Sequence, residues 1–144
     1  TNEQRGEIAA GLTKVLADSY AVYLKTHGYH WNVRGPNFGA LHALFMDQYT
    51  EMWAAIDLIA ERIRALGELA PQGYGSFGNL SAIKDGSPDN DAEAMLRELA
   101  ADHETLIATA QAAREGADEA TGSLIDDRVD AHQKHVWMLK ASLG

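Results

Sequence analysis

Two histidines, His30 and His42, bracket the stretch WNVRGPNFGAL, and two carboxylates, Asp57 and Glu61, follow in DLIAER. Imidazole nitrogen combined with carboxylate oxygen suits iron or a similar divalent transition metal. On a helix each residue turns about 100° and rises about 1.5 Å, so Asp57 and Glu61 lie roughly 40° apart on one face, one turn apart, and can serve one ion together. His42 points within about 60° of Asp57 but sits about 22 Å earlier along the same axis. One chain cannot bring both ends of that helix to one metal. The histidine end and the carboxylate end are therefore half-sites. If two copies of the helix pack antiparallel across a twofold axis, each histidine end meets the other copy's carboxylate end, and a symmetric dimer holds two equivalent sites. Taken singly, such residues are more often solvated charge or half-buried histidine. Their joint placement on otherwise apolar faces is what points to a metal.

The elements that must position these groups are helical. Ile8, Leu12, Val15, Leu16, Tyr20, Tyr23 and Leu24 recur at helical spacing through residues 3–31, and Asn32, Gly35 and Pro36 end that run. With Asn37 as N-cap, a second helix is expected over 38–66, carrying Phe38, Leu41, Phe45, Tyr49, Met52, Ile56, Ile59 and Ile63. Gly67 to Pro88 is too rich in glycine and proline for one regular element and reads as a crossover, with a short helical piece expected at NLSAI. Ser87-Pro88-Asp89 has the form of N-cap, first-turn proline and first-turn acid for a third helix running to Glu115, and a fourth runs from Glu119 to Ser142. Two long helices, a long crossover and two more helices make an all-α, four-helix bundle of ferritin-like connectivity, with residues 1–144 as a single domain. Bundles of that kind hold metal within one chain through Glu-x-x-His motifs, and this sequence has none. His103, His132 and His135 lack a suitably spaced carboxylate and are expected at the surface or an interface.

Composition sets outer bounds. Hydrophobic residues make up 46% and charged residues 23%, which fits a folded chain rather than a disordered one. The net charge of −9 disfavours attraction to DNA phosphate or anionic lipid. No basic, apolar leader opens the sequence, so a cytoplasmic location without membrane contact is expected. The absence of cysteine excludes disulfides and thiol redox chemistry, so any redox chemistry here needs a metal or cofactor.

The run KTHGYHWNVRGPNFGALHALFMDQYTEMWAAIDLIAERIRALG closely resembles the signature of the Dps mini-ferritins, a family whose name means DNA-binding protein from starved cells. The glycine-rich crossover and the terminal HVWML extend the resemblance over most of the chain. It implies a hollow homo-oligomer, a dodecamer, with ferroxidase centres at twofold interfaces that oxidise Fe(II) with hydrogen peroxide or dioxygen and store ferric mineral inside, protecting against oxidative stress. The family's ligands carry over onto His30, His42, Asp57 and Glu61, and Trp31 matches a tryptophan beside the centre. The resemblance also implies iron as the metal, with zinc or manganese as competitors.

One position departs from the pattern. The family usually places an acid one turn after the second histidine, where this chain has Met46. Asp47 is turned about 140° from His42 and cannot substitute, and a thioether is a softer ligand than a carboxylate. A firm iron position at His30, Asp57 and Glu61 and a weakened one at His42 are therefore expected. Asp47 and Glu51 are candidates for mineral nucleation, and Asp126, Asp127 and Asp130 for the lining of an iron-entry pore. The alternative is a nucleoid protein that shields DNA physically. Several family members do so through basic tails, and because such tails are absent here DNA binding is expected to be improbable.

Overall fold

The computed structural model describes residues 1–144 and resolves the chain into α1 (Asn2–Asn32), α2 (Phe38–Ala65), α3 (Tyr74–Leu80), α4 (Ala92–Arg114) and α5 (Glu119–Ala141). Thr1 starts α1 through a capping box with Gln4. One stripe of α1, from Leu12 through Leu16, Ser19 and Tyr23 to Thr26, is buried, as an amphipathic helix in a bundle requires. α1 packs on α2 and α4, α4 on α5, and α2 meets α5, so the four long helices close a ring in the order α1, α2, α5, α4. Phe45, Met52, Ile59, Met95, Leu99 and Leu106 are fully enclosed between them. No helix is long and apolar enough to cross a membrane.

The expected bundle and its crossover are present, with two local differences. The short helix lies at Tyr74–Leu80, earlier than expected, and takes in only the first two residues of NLSAI. Buried Asp18 explains this, because it accepts hydrogen bonds from Ser81 Oγ, from the amide of Ala82 and from Thr109 Oγ1 at 2.7–2.8 Å. These bonds hold Ser81 extended and tie the crossover to α1 and α4. The third long helix begins at Ala92 with Asp91 as its cap, whereas Ser87-Pro88-Asp89 forms a tight turn closed by the Asp89 and Asn90 amides on Ser87. Arg34 donates to the carbonyls of Asp89 and Asn90, which spends both acceptors outside a helix. Gly86 passes so close to α1 that an added Cβ would sit 1.9 Å from the Tyr29 hydroxyl, so only glycine fits. Asn37 occupies the N-cap of α2 without a side-chain bond.

The larger correction concerns His103, His132 and His135, all of which are buried. They fill the seam where α2 faces α5. Arg128 pairs with Glu51 and donates to Nε2 of His132, His132 and His103 share a bond between their Nδ1 atoms at 2.9 Å, and His135 Nε2 meets Glu51 at 2.8 Å. Histidines without a suitably spaced carboxylate gave no sign of this, because Glu51 on α2 and His103 on α4 meet the α5 histidines from distant parts of the chain. Burial would raise the Glu51 carboxyl, but bonds from His135 and Arg128 outweigh it and hold it at about 2.

Burial, reinforced by the positive charge of Arg128 and by His135, holds His103 and His132 well below the ordinary histidine value, with His103 adding to the effect on His132. Below about pH 6.5 the unfolded histidines take up protons that the folded ones refuse, so stability falls with pH by up to about 1.4 kcal/mol per pH unit for each. Thermal unfolding followed between pH 7 and 5 is expected to show this fall. His103→Leu should be less stable at pH 7 but lose less on acidification, and equal slopes for the two proteins would refute the assignment. The Glu51 contribution lies in a separate window, lost from about pH 4.5 downward.

Candidate metal centre

His30 ends α1 and His42 lies in the second turn of α2. The connection between them reverses direction at Gly35, whose φ of 117° is strained for any side-chain-bearing residue. The reversal lays the two imidazoles face to face, with centroids 3.7 Å apart and planes 14° from parallel. Each ring is then fixed by the other's backbone: His30 Nδ1 lies 2.7 Å from the His42 carbonyl, and His42 Nδ1 lies 2.7 Å from the His30 carbonyl. A carbonyl can only accept, so both Nδ1 atoms donate, and in the neutral imidazole the lone pair then sits on each Nε2. Hydrogen bonding of the far nitrogen is what orients a metal-ligating histidine. His30 is buried and His42 half-buried, with Phe38 stacked on its outer side at 5.0 Å.

The stacking restricts what the pair can do. An ion bound by imidazole lies close to the ring plane, and two nearly parallel planes 3.7 Å apart cannot share one. The two rings therefore address two positions, at a spacing close to the roughly 3.5–4 Å of two-metal sites.

Asp57 and Glu61 are exposed on α2, and neither makes an ion pair or hydrogen bond within the protomer. No three histidine or acidic side chains of one protomer converge to hold an ion. Trp31 and Met46 are both half exposed or more, and Phe38, Met46 and Trp53, within about 80° of one another around α2, leave an uncovered apolar strip there. Asp47 is exposed, whereas Glu51 is engaged by Arg128 and His135. Asp126 pairs with Arg114 at 3.1 Å, and Asp127 and Asp130 project freely from the same stretch of α5.

A feature absent from the sequence reading is the aromatic environment of the pair. His27 lies between Tyr49, stacked at 4.0 Å, and Trp31 at 4.5 Å, and shares a 3.0 Å hydrogen bond through Nδ1 with the Tyr23 hydroxyl. Burial, and then the neighbouring His30, lower the His27 value below the ordinary one. The signal was present in the four-residue spacing of Tyr23, His27 and Trp31, which puts all three on one face of α1.

The Ferritin family, described as a ferritin-like domain, matches residues 9–144. The DNA protection during starvation protein of Brevibacillus brevis is 35% identical over 94% of this chain and 94% of its own length. The DNA protection during starvation protein 2 of Bacillus anthracis is 35% identical over 92% of this chain and 94% of its own. Among solved structures, the Dps protein of Vibrio cholerae O1, described as a member of a broad superfamily of ferritin-like diiron-carboxylate proteins, aligns with a TM-score of 0.95 at 31% identity, covering 100% of this chain and 93% of that one.

These relatives overturn the expectation that DNA binding is improbable, since DNA protection is the role their names carry across nearly the whole chain. Neither the net charge nor the lack of basic tails says where cations gather on the surface. A phosphate backbone responds to local clusters of cations, and a charge of −9 summed over one protomer does not describe them. The family model, the relatives and the solved structures agree: the chain belongs to the ferritin-like family as a Dps mini-ferritin, an iron-storing protein with ferroxidase-type activity.

Proposed function

We propose that residues 1–144 work as one ferritin-like unit that oxidises Fe(II) at sites completed only when two copies pair across a twofold axis. His30 and His42 of one copy face Asp57 and Glu61 of the other. The observation that carries this reading is the reciprocal bonding of the two imidazoles, which leaves both Nε2 atoms available as ligands. The uncovered strip bearing Phe38, Met46 and Trp53, with exposed Trp31 on α1, supplies the apolar contact such a pairing needs. Antiparallel α2 helices then bring each exposed carboxylate pair to the opposite histidine pair.

Iron is the substrate. Imidazole and carboxylate bind Fe(II), and the negative carboxylates favour the more highly charged Fe(III), so electrons pass more readily to hydrogen peroxide or dioxygen. His30, Asp57 and Glu61 form the firmer position. One helical turn after His42 stands Met46, which offers sulfur where a carboxylate would neutralise charge, and the second position is correspondingly weak. The same ligands accept zinc or manganese, which would act as competitors. Ferric product then passes to acidic side chains such as Asp47 on its way to storage, and Asp127 and Asp130 assist entry of the cation. Removal of free iron and peroxide accounts chemically for protection of DNA, the role in the relatives' names.

Adding Fe(II) and peroxide and following ferric absorbance tests the assignment. Asp57→Ala and Glu61→Ala are each expected to lower the initial rate at least about tenfold, and unchanged rates in both would remove the site. Calorimetric titration of the wild type should find one tight and one weak ion per site, while Met46→Glu should tighten the weaker one. Two equally tight ions in the wild type would contradict the role given to Met46.

A further inference from the structure

A weak second position raises a chemical difficulty that the surroundings of the histidine pair address. Hydrogen peroxide takes two electrons to become water, and a single Fe(II) has one to give. With no second donor the O–O bond breaks to hydroxide and a free hydroxyl radical.

The aromatic belt beside the site contains such a donor. Tyr23 lies 6.0 Å from Tyr49 and 5.5 Å from Trp53 between ring centroids, and Tyr49 meets His30 edge-on at 5.3 Å. A second path runs through His27, 5.6 Å from Tyr23 and 6.1 Å from His30. Apolar packing accounts for rings in contact but not for the polar bond within them, the Tyr23 hydroxyl against Nδ1 of His27 at 3.0 Å. A phenol loses an electron far more easily when its proton can leave at the same time, and His27 is placed to take it. Tyr23 is only 8% exposed, so the resulting neutral radical is shielded from solvent.

We propose that Tyr23, hydrogen-bonded to His27 and linked through Tyr49 to His30, supplies the second electron when one bound Fe(II) meets hydrogen peroxide. Iron gives one electron and becomes Fe(III). Tyr23 gives the other, and its phenolic proton passes to Nδ1 of His27. The O–O bond breaks, and with two protons from solvent the peroxide leaves as two waters. The next Fe(II) returns an electron to the tyrosyl radical and His27 returns the proton. The cycle consumes two Fe(II), two protons and one peroxide, and yields two Fe(III) and two waters. This inference rests on the assignment of His30 to the iron site.

The test is to load the assembled protein anaerobically with one Fe(II) per site, add peroxide, freeze rapidly and record the EPR spectrum, with a spin trap for hydroxyl radical in parallel. The wild type is expected to give a tyrosyl signal. Tyr23→Phe, which keeps the ring and whose fold is checked by thermal unfolding, should lose the signal and raise the spin-trap adduct several-fold. His27→Phe removes the proton acceptor and should weaken the signal, while Tyr74→Phe, at an exposed ring outside the belt, should retain it. Iron oxidation that depends on Asp57 and Glu61 but gives no tyrosyl signal, or a signal that survives in Tyr23→Phe, would overturn the relay and leave the iron site standing. Oxidation indifferent to Asp57→Ala and Glu61→Ala would remove the site and the relay together.

Discussion

α2 runs unbroken from Phe38 to Ala65, and its stiffness keeps His42 and Asp57 about 22 Å apart. Everything proposed for the chemistry follows from that separation. The carboxylates of one protomer have no histidine to meet, and the histidines have no carboxylate. What would be wasted in a monomer becomes productive in a pair related by a twofold axis, because antiparallel copies of one helix exchange their ends. The metal site is then also a reporter of assembly, absent until the apolar face of α1 and α2 is covered.

The bundle contributes rigidity where the chemistry needs it. Reciprocal bonds from each imidazole to the other's carbonyl fix both rings and both tautomers before any ion arrives. The interior of the bundle is occupied differently. At the α2–α5 seam Arg128 is itself the cation, neutralising Glu51 and bonded to His132, so the charge there is already compensated within the protomer. The division of labour is physical. Compensated charge holds helices together inside, and uncompensated carboxylate waits outside.

The fold was legible because long amphipathic periodicity and clustered glycine and proline leave few alternatives. Helix ends were less so. Ser87-Pro88-Asp89 has every residue type of a helix start, yet Arg34 from a distant turn claims the carbonyls that follow. The placement of Asp57, Glu61 and His42 along one helix could be read from spacing, since helical geometry is known in advance. The pairing of His103, His132 and His135 could not, because it joins α4, α5 and α2 through contacts that no local pattern encodes. Net charge misled about DNA for a related reason: a sum over the sequence carries no information about where cations gather.

The central claim is that the two halves of each site come from different protomers. Subunit mixing tests it directly. A His30→Ala, His42→Ala protein and an Asp57→Ala, Glu61→Ala protein are each inactive in the account given above, but co-assembled from equal amounts they form mixed pairs in which one of the two sites is intact. Ferroxidase activity should then return to about a quarter of the wild-type value for random pairing. A mixture as inactive as its parents, with mixed assembly confirmed by mass, would contradict the shared site.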